Sequence, residues 1–256
     1  NPNGTPRTHT PKPPKNPIHY LLRQTTPTWA TKPQNSRKKD HQTAIRQWWT
    51  LTETHIGWDR YDECVAILSR LPIRGIKPIN MSPDYTYFQV QRRAAQATLI
   101  ETETGTFWCA TTHMSWWDFD GEPLFAQEYA HLSQELAECA RTAPVLLSGD
   151  FNSAAHLSNE GYALVTSSGM VDTRSLAEHT DGENTVHREI AGWEGSTDAK
   201  RIDFVFADRL VDVVSHAVVF RDNSPEAISD HSGLLLEIDP ASWAPQSVLT
   251  PLTTQH

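Results

Sequence analysis

Seven short apolar runs, each bounded by turn-forming residues, limit this chain to a fold built on sheets. They are CVAILSR (Cys64–Arg70), AAQATLIE (Ala94–Glu101), TFWCATTHM (Thr106–Met114), VLLSGD (Val145–Asp150), RIDFVFA (Arg201–Ala207), VVSHAVVF (Val213–Phe220) and GLLLEI (Gly233–Ile238). Each has the length of a strand, and each is rich in the branched and aromatic side chains that suit a pleated surface. One clear helix lies among them. From Pro123 to Arg141, the residues Leu124, Phe125, Tyr129, Leu132, Leu136 and Cys139 recur every three or four positions, while Glu122, Gln127, Glu128, Gln134, Glu135 and Glu138 fall largely elsewhere. A shorter helix is expected over Glu160–Thr166, ending near Gly169. Strands that outnumber helices, joined by both hairpin-length and helical connections, predict an α/β domain of packed, mixed sheets.

Such a core needs length, and 256 residues, 38% of them hydrophobic, are enough for one large domain. No run of about 18 apolar residues occurs, and the opening residues lack the apolar stretch of a signal peptide. A cytoplasmic location without membrane contact is expected. The three cysteines, Cys64, Cys109 and Cys139, are far apart and set among apolar neighbours. Buried thiols fit that pattern better than a disulfide framework or a zinc site.

Charge divides the chain unevenly. Through Thr50, nine Lys and Arg stand against a single acid, Asp40, and eight of the seventeen prolines fall there. The rest of the chain holds 13 basic and 30 acidic residues, a net charge of −17. The first segment has almost no apolar periodicity, too little to offset an ordering cost of about 1–2 kcal/mol per residue. Residues 1–47 are therefore expected to form a disordered basic segment, residues 48–240 the folded domain and residues 241–256 a tail. The basic segment reads as a tether for an anionic partner or, more simply, as a solvated stretch unrelated to the domain.

The polar residues that interrupt the strands carry the chemistry. His113 ends CATTHM, Asp150 and Asn152 follow VLLSG, and Asp203 interrupts RIDFVF. Asp230 and His231 precede the last strand, and Asp62 and Glu63 open YDECVAILSR. Singly, an Asp after a strand is a turn former or a cap, and a lone His is a satisfied core residue. Asp203 is harder to dismiss, because a carboxylate within an apolar strand needs a partner to offset its desolvation. Together these carboxylates, an amide and two imidazoles have the ingredients of metal-assisted phosphate-ester hydrolysis. That reaction needs hard oxygen ligands for Mg²⁺, a base for the attacking water and donors for the phosphoryl oxygens.

The segments GDFN, RIDFVF, SDHSG, the histidine of TTHM and YDECVAILSRLPI stand in the order found in the endonuclease/exonuclease/phosphatase superfamily, and the resemblance spans roughly Trp48–Asp239. It implies the deoxyribonuclease I-like fold, a four-layer α/β sandwich of two packed mixed sheets flanked by helices. It also implies a phosphoric ester hydrolase dependent on Mg²⁺, with Mn²⁺ as a substitute. The resemblance assigns roles as well. Asp150 would orient or deprotonate the attacking water, Asn152 would hold the phosphate, and His231, paired with Asp203, would stabilise developing charge. His113 would bind phosphate from a hydrogen bond to Glu63, and Glu63 and Asp230 would help hold the metal.

Longer stretches, THIGWDRYDECVAILSR, THMSWWDFDGEPLFAQ, GDFNSAAHLSNEGYALV and TVHREIAGW, are similar to the bacterial maltose 6'-phosphate phosphatase group. That similarity implies removal of phosphate from a phosphorylated sugar. Trp116, Trp117 and Trp193 are flat amphipathic surfaces on which a sugar ring could lie. Arg92, with Arg93 beside it, is a candidate for the substrate phosphate, because a guanidinium fork matches its oxygens.

The sequence departs from the family at its start. Members open with a strand ending in Asn and a second ending in QE, whose Glu is a principal Mg²⁺ ligand; residues 1–50 hold no Glu, and neither strand is recognisable there. Cys64 and Ser115 stand where the group has Gly. Three readings follow. A sugar-phosphate phosphomonoesterase is favoured by the tryptophan-bearing motifs and by an acidic body that repels long polyanions. A nuclease or related phosphodiesterase is supported by the superfamily motifs and the basic segment, although a nucleic-acid partner sits poorly with so acidic a domain. An inactive remnant is supported by the absent Glu.

Overall fold

The computed structural model describes residues 48–57, 61–118, 121–186, 200–221 and 229–243. An antiparallel hairpin of β1 (Trp48–Gly57) and β2 (Tyr61–Ser69) comes first, followed by β3 (Ile73–Asn80), β4 (Ala94–Thr102) and β5 (Gly105–His113). Helix α1 (Leu124–Ala140) leads into β6 (Val145–Asp150). Then come α2 (Gly161–Ser167), β7 (Val171–Asp172), a 3₁₀ turn (Thr173–Leu176), β8 (Ala177–Asp181), β9 (Asp203–Ala207), β10 (Asp212–Val219) and β11 (Gly233–Asp239).

One six-stranded sheet, in the order β3-β4-β5-β6-β9-β7, forms the centre. Within it β5 and β6 run parallel and α1 is their crossover, while the other neighbours are antiparallel. A second layer consists of two separate sheets, the β1–β2 hairpin and a three-stranded sheet in the order β11-β10-β8. The architecture is the expected α/β arrangement of mixed sheets. Among the described residues both α-helices lie outside the six-stranded sheet, on the side away from the second layer.

All seven apolar runs are strands, and the two helices lie within a residue or two of their expected limits. Strands β1, β3, β7 and β8 were not among those runs, and for β1 and β3 the physical reasons are plain. β1 is largely Trp and Thr alternating with polar residues, so it lacks an apolar run. β3 contains Gly75 and Pro78, which argue against a strand, yet it pairs only with β4 at the sheet edge, where a proline can be tolerated. Helix α1 buries Leu124, Phe125, Tyr129, Leu132, Leu136 and Cys139 as the periodicity demands. It also buries Glu128, which the periodicity had grouped with the polar side.

The two faces of the six-stranded sheet are covered differently. On the helix side Ala95, Ala97, Ala110, Leu147, Phe204 and Phe206 are at most 1% exposed beneath Phe125, Tyr129, Leu132 and Leu136. Phe151 stands edge-on to Phe204 and Phe206, with ring centroids 5.7 and 5.0 Å away. On the other side Phe107, Leu146, Val205 and Ala207 pack with Val213, Leu236, Ile238 and Trp243. The hairpin covers β4 through polar contacts, Thr50 Oγ1 to Thr98 Oγ1 at 3.0 Å and Thr52 Oγ1 to Gln96. Of the three free thiols, Cys139 is buried, whereas Cys64 and Cys109 are half-buried. No helix among the described residues is long and apolar enough to cross a membrane. The expectations for residues 1–47, and for the tail beyond Trp243, fall outside the described residues.

Candidate active site

Register alone assembles the first part of the site. His113 at the end of β5 is the cross-strand partner of Asp150 at the end of β6, and Asp150 is the partner of Asp203 at the start of β9. Alternation along each strand puts these three residues on the face that carries Phe107, Leu146 and Val205, opposite the helices. Gly149 permits the row. Its φ is +147°, and a Cβ there would lie 1.9 Å from the Thr112 carbonyl oxygen, so only glycine lets β6 approach β5 this closely just before Asp150.

His231, immediately before β11, comes from the second layer and completes the cluster. Its Nδ1 lies 2.9 Å from Asp203 Oδ2 and its Nε2 lies 3.9 Å from Asp150 Oδ2. This pairing supplies the partner that Asp203 required. The Asp203 hydrogen bond, working against burial, pushes the His231 imidazolium up to about 9. Burial, followed by the nearby Asp203 charge, pushes the Asp150 carboxyl up to about 7, even though its Oδ1 accepts the Asn152 backbone N–H at 2.8 Å. Near neutrality, then, one carboxyl sits close to its titration point beside a cationic imidazole locked on a second carboxylate.

His113 behaves otherwise. Burial first, and the Arg93 charge second, push it down to about 3, so it is neutral at physiological pH. Its Nε2 lies 3.4 Å from Asp150 Oδ2 and 3.2 Å from Asn152 Nδ2. Asn152 has the left-handed φ of +45° that asparagine tolerates, and its Nδ2 also donates to the Met114 carbonyl at 2.9 Å. In the tautomer with its proton on Nδ1, His113 accepts at Nε2 and both amide hydrogens of Asn152 have acceptors. The resemblance gave Asn152 the phosphate; here its amide lies against His113 and the Met114 carbonyl.

The remaining sequence candidates are placed as follows. Glu63 faces His55 and Arg93, with its Oε2 3.5 Å from His55 Nε2 and 3.7 Å from Arg93 Nη1. The hydrogen bond to His55 leads the effects that pull its carboxyl below the ordinary range. The hydrogen bond from His113 to Glu63 that the resemblance implied is replaced by these contacts. Arg92 uses its guanidinium internally, donating through Nη1 to the Glu53 carbonyl at 3.1 Å and to the Thr54 carbonyl. Asp230 is exposed and accepts the Ser229 hydroxyl at 3.2 Å. Trp116 is 36% exposed, whereas Trp117 leans into the core with its ring 5.9 Å from that of Phe125. Trp193 lies outside the described residues.

One network was not selected from the sequence. Glu128 is 2% exposed and accepts from Ser115 twice, from its backbone N–H at 2.9 Å and from its hydroxyl at 2.6 Å. Burial pushes its carboxyl up to about 7. Arg93 Nε donates to the same hydroxyl at 3.4 Å. A helix position between Phe125 and Leu132 was the available signal, since its periodicity points inward whatever the side chain.

The chemistry of the donor set fits a divalent cation. Ligand atoms of Asp150, Asp203 and His231 lie within 4.8 Å of one another, and the like charge of two carboxylates at this spacing is what a cation would relieve. Asp150 and Asp203 would hold it through oxygen, because His231 Nδ1 is engaged by Asp203. Glu63 and Asp230, expected as ligands, are not part of this group.

Neither a protein-family model nor a curated protein sequence matches the chain. Solved structures do. An endonuclease/exonuclease/phosphatase family protein from Leptotrichia buccalis C-1013-b aligns with a TM-score of 0.66 at 25% identity, over 77% of this chain and 73% of its own. A mannosyl-6-phosphatase from Bacteroides thetaiotaomicron VPI-5482 aligns at 0.57 and 20% identity, over 75% of this chain and 77% of its own. The human Nocturnin catalytic domain with bound sulfate aligns at 0.53 and 17%, over 75% and 72%. The last two are likenesses of fold. The likeness to the Leptotrichia protein, together with the row of acids and imidazoles at the strand ends, supports one assignment: the chain belongs to the endonuclease/exonuclease/phosphatase superfamily.

Proposed function

We propose that this chain is a metal-dependent phosphoesterase that removes phosphate from a small phosphorylated sugar such as maltose 6'-phosphate. The observation that carries the reading is the arrangement of Asp150 against the Asp203–His231 pair. A carboxyl poised near neutrality can take a proton from an attacking water, and a fixed imidazolium can offer a charged N–H to the phosphoryl oxygens. Asp203 acts through His231, holding Nδ1 so that Nε2 faces Asp150. His113, neutral, accepts from Asn152 and so keeps the Asp150 turn in place. Mg²⁺ or Mn²⁺ held by Asp150 and Asp203 would neutralise charge on the phosphate and acidify bound water.

Two features support a sugar phosphate over a nucleic acid. Trp116, three residues beyond His113, leaves an indole partly open to solvent, and residues 51–256 carry a net charge of −17 that disfavours a long polyanion. A likeness of fold to a mannosyl-6-phosphatase is in keeping with this substrate class. The test compares phosphate release from maltose 6'-phosphate with nicking of plasmid DNA, each with Mg²⁺ and with EDTA. Metal-dependent release from the sugar phosphate with intact plasmid is the expected result. Nicking without phosphate release would overturn the substrate class, and EDTA-resistant turnover would overturn the metal.

A further inference from the structure

We propose that Arg93 binds the phosphate group of the substrate, and that Ser115, itself held by Glu128, fixes the Arg93 guanidinium for that purpose. The inference rests on the phosphoesterase reading of the site and assigns the phosphate donor within it.

The other donors near the site are engaged. The Asn152 amide nitrogen lies 2.9 Å from the Met114 carbonyl and 3.2 Å from His113 Nε2, so it is held within the protein. Arg92 directs its guanidinium at the backbone of β1, with Nη1 donating to the Glu53 and Thr54 carbonyls. Arg93, one position on at the entrance to β4, reaches Glu63 and Ser115 instead. Its side chain is 13% exposed, and its Nη1 is buried without a hydrogen bond, 3.7 Å from Glu63 Oε2. Glu63 in turn is shared with His55, so it compensates the guanidinium incompletely. A buried charged donor without an acceptor is unfavourable, and a phosphoryl oxygen is the kind of acceptor it lacks. Ser115, which receives Arg93 Nε at 3.4 Å, stands two residues beyond His113 and next to Met114, whose carbonyl receives the Asn152 amide.

The clamp is chemically directed. The Ser115 hydroxyl donates to Glu128 Oε1 at 2.6 Å, so its lone pairs are left to receive Arg93 Nε at 3.4 Å. The Ser115 backbone N–H is fixed on the other carboxylate oxygen, Glu128 Oε2, at 2.9 Å. The Arg93 backbone is anchored as well, its N–H donating to Ser82 Oγ at 3.0 Å. With Nε turned toward Ser115, the terminal nitrogens of the fork remain for an oxyanion.

The experiment titrates the full chain with inorganic phosphate, with and without Mg²⁺, by calorimetry, and measures turnover of maltose 6'-phosphate. Arg93→Met is expected to weaken phosphate binding about 10- to 100-fold and to raise KM by a similar factor, with a much smaller change in kcat. Arg93→Lys should recover part of the loss, since it keeps the charge but not the fork. Arg92→Met should leave phosphate affinity as it was while lowering the thermal midpoint. Wild-type phosphate affinity in Arg93→Met overturns the inference. If the Arg93 variants do not fold, the Nε–Hε resonance of Arg93 in the unsubstituted protein decides: a shift on phosphate titration supports the assignment and a fixed resonance overturns it. Phosphate bound through Arg93 without turnover of the sugar phosphate would sink the substrate reading alone. Turnover by Arg93→Met at an unchanged KM would sink this inference alone.

Discussion

The two faces of the six-stranded sheet have the same strands and different fates. Beneath α1 and α2 the face is dry and aromatic, with Phe151, Phe204 and Phe206 in one cluster with Phe125 and Tyr129. Across the sheet, the second layer arrives as two separate pieces, and Cys109, Thr111 and Ser148 on the central strands remain only half-buried. The row His113, Asp150 and Asp203 stands on that less covered face, at the strand ends where water can enter. The comparison separates two tasks. Close packing on one side fixes the strand register, and that register aligns titratable groups on the other side, where they are neither fully solvated nor fully dry. Stability is expected to depend on the helix side and turnover on the opposite side.

The strongest way to break this division is to change the chemical face without disturbing the packed one. Asp150→Asn should lower kcat by about 10³-fold or more, within the range that general-base removal reaches. Its stability should move the other way. The Asp150 pKa is raised on folding from 3.8 to about 7, so the folded state keeps a proton that the unfolded chain releases. Stability from this group therefore falls as pH rises through that window, and Asn removes the penalty. Thermal midpoints at pH 8 in EDTA check this: the Asn variant should equal or exceed the wild type. A less stable Asn variant would mean that Asp150 supports the fold, and the division fails.

On the packed face the expected effect is in stability alone. Phe204→Ala removes a ring that is 1% exposed and in contact with Phe151, Tyr162 and Phe206, and should cost about 3–5 kcal/mol. Thr111→Ala, on the half-buried face of β5, should cost less than about 1 kcal/mol. Urea unfolding of both variants measures the contrast. Equal losses would show that the second layer packs as tightly as the first.

Much of this site was legible in the sequence because each member violates a strand pattern. Asp150 and Asp203 are polar where apolar neighbours set the rule, and a strand-end row is the simplest way to bring such violations together. Arg93 could not be told from Arg92, since two adjacent arginines look alike in sequence and only their contacts, with Ser115 and with the β1 carbonyls, separate them. Glu128 was missed for the opposite reason: residue type outweighed helical position. The partial burial of Trp117 depends on Phe125, a ring that no local pattern places beside it. β3 escaped because Gly75 and Pro78 are strand breakers in the middle of a sheet and acceptable at its edge.

Glu128 tests how strictly the helix side must be dry. It is the carboxylate that α1 carries into that layer, met by the Ser115 N–H and hydroxyl with the Arg93 charge nearby, and its pKa rises on folding from 4.5 to about 7. The unfolded chain therefore releases this proton near pH 4.5 while the folded protein holds it until about pH 7. Fewer protons on the unfolded state mean that stability drops with rising pH across this window and is level above it. The drop is at most about 3 kcal/mol, from roughly 1.4 kcal/mol per pKa unit. Glu128→Gln keeps one acceptor for Ser115 and cannot titrate. The difference in unfolding free energy between wild type and variant, measured in urea at pH 5 and at pH 8, should shift toward the variant by this amount. A pH-independent difference would mean that the carboxylate is charged throughout, with Ser115 and Arg93 offsetting its burial fully, and the layer beneath α1 would then be less dry than its aromatic packing implies.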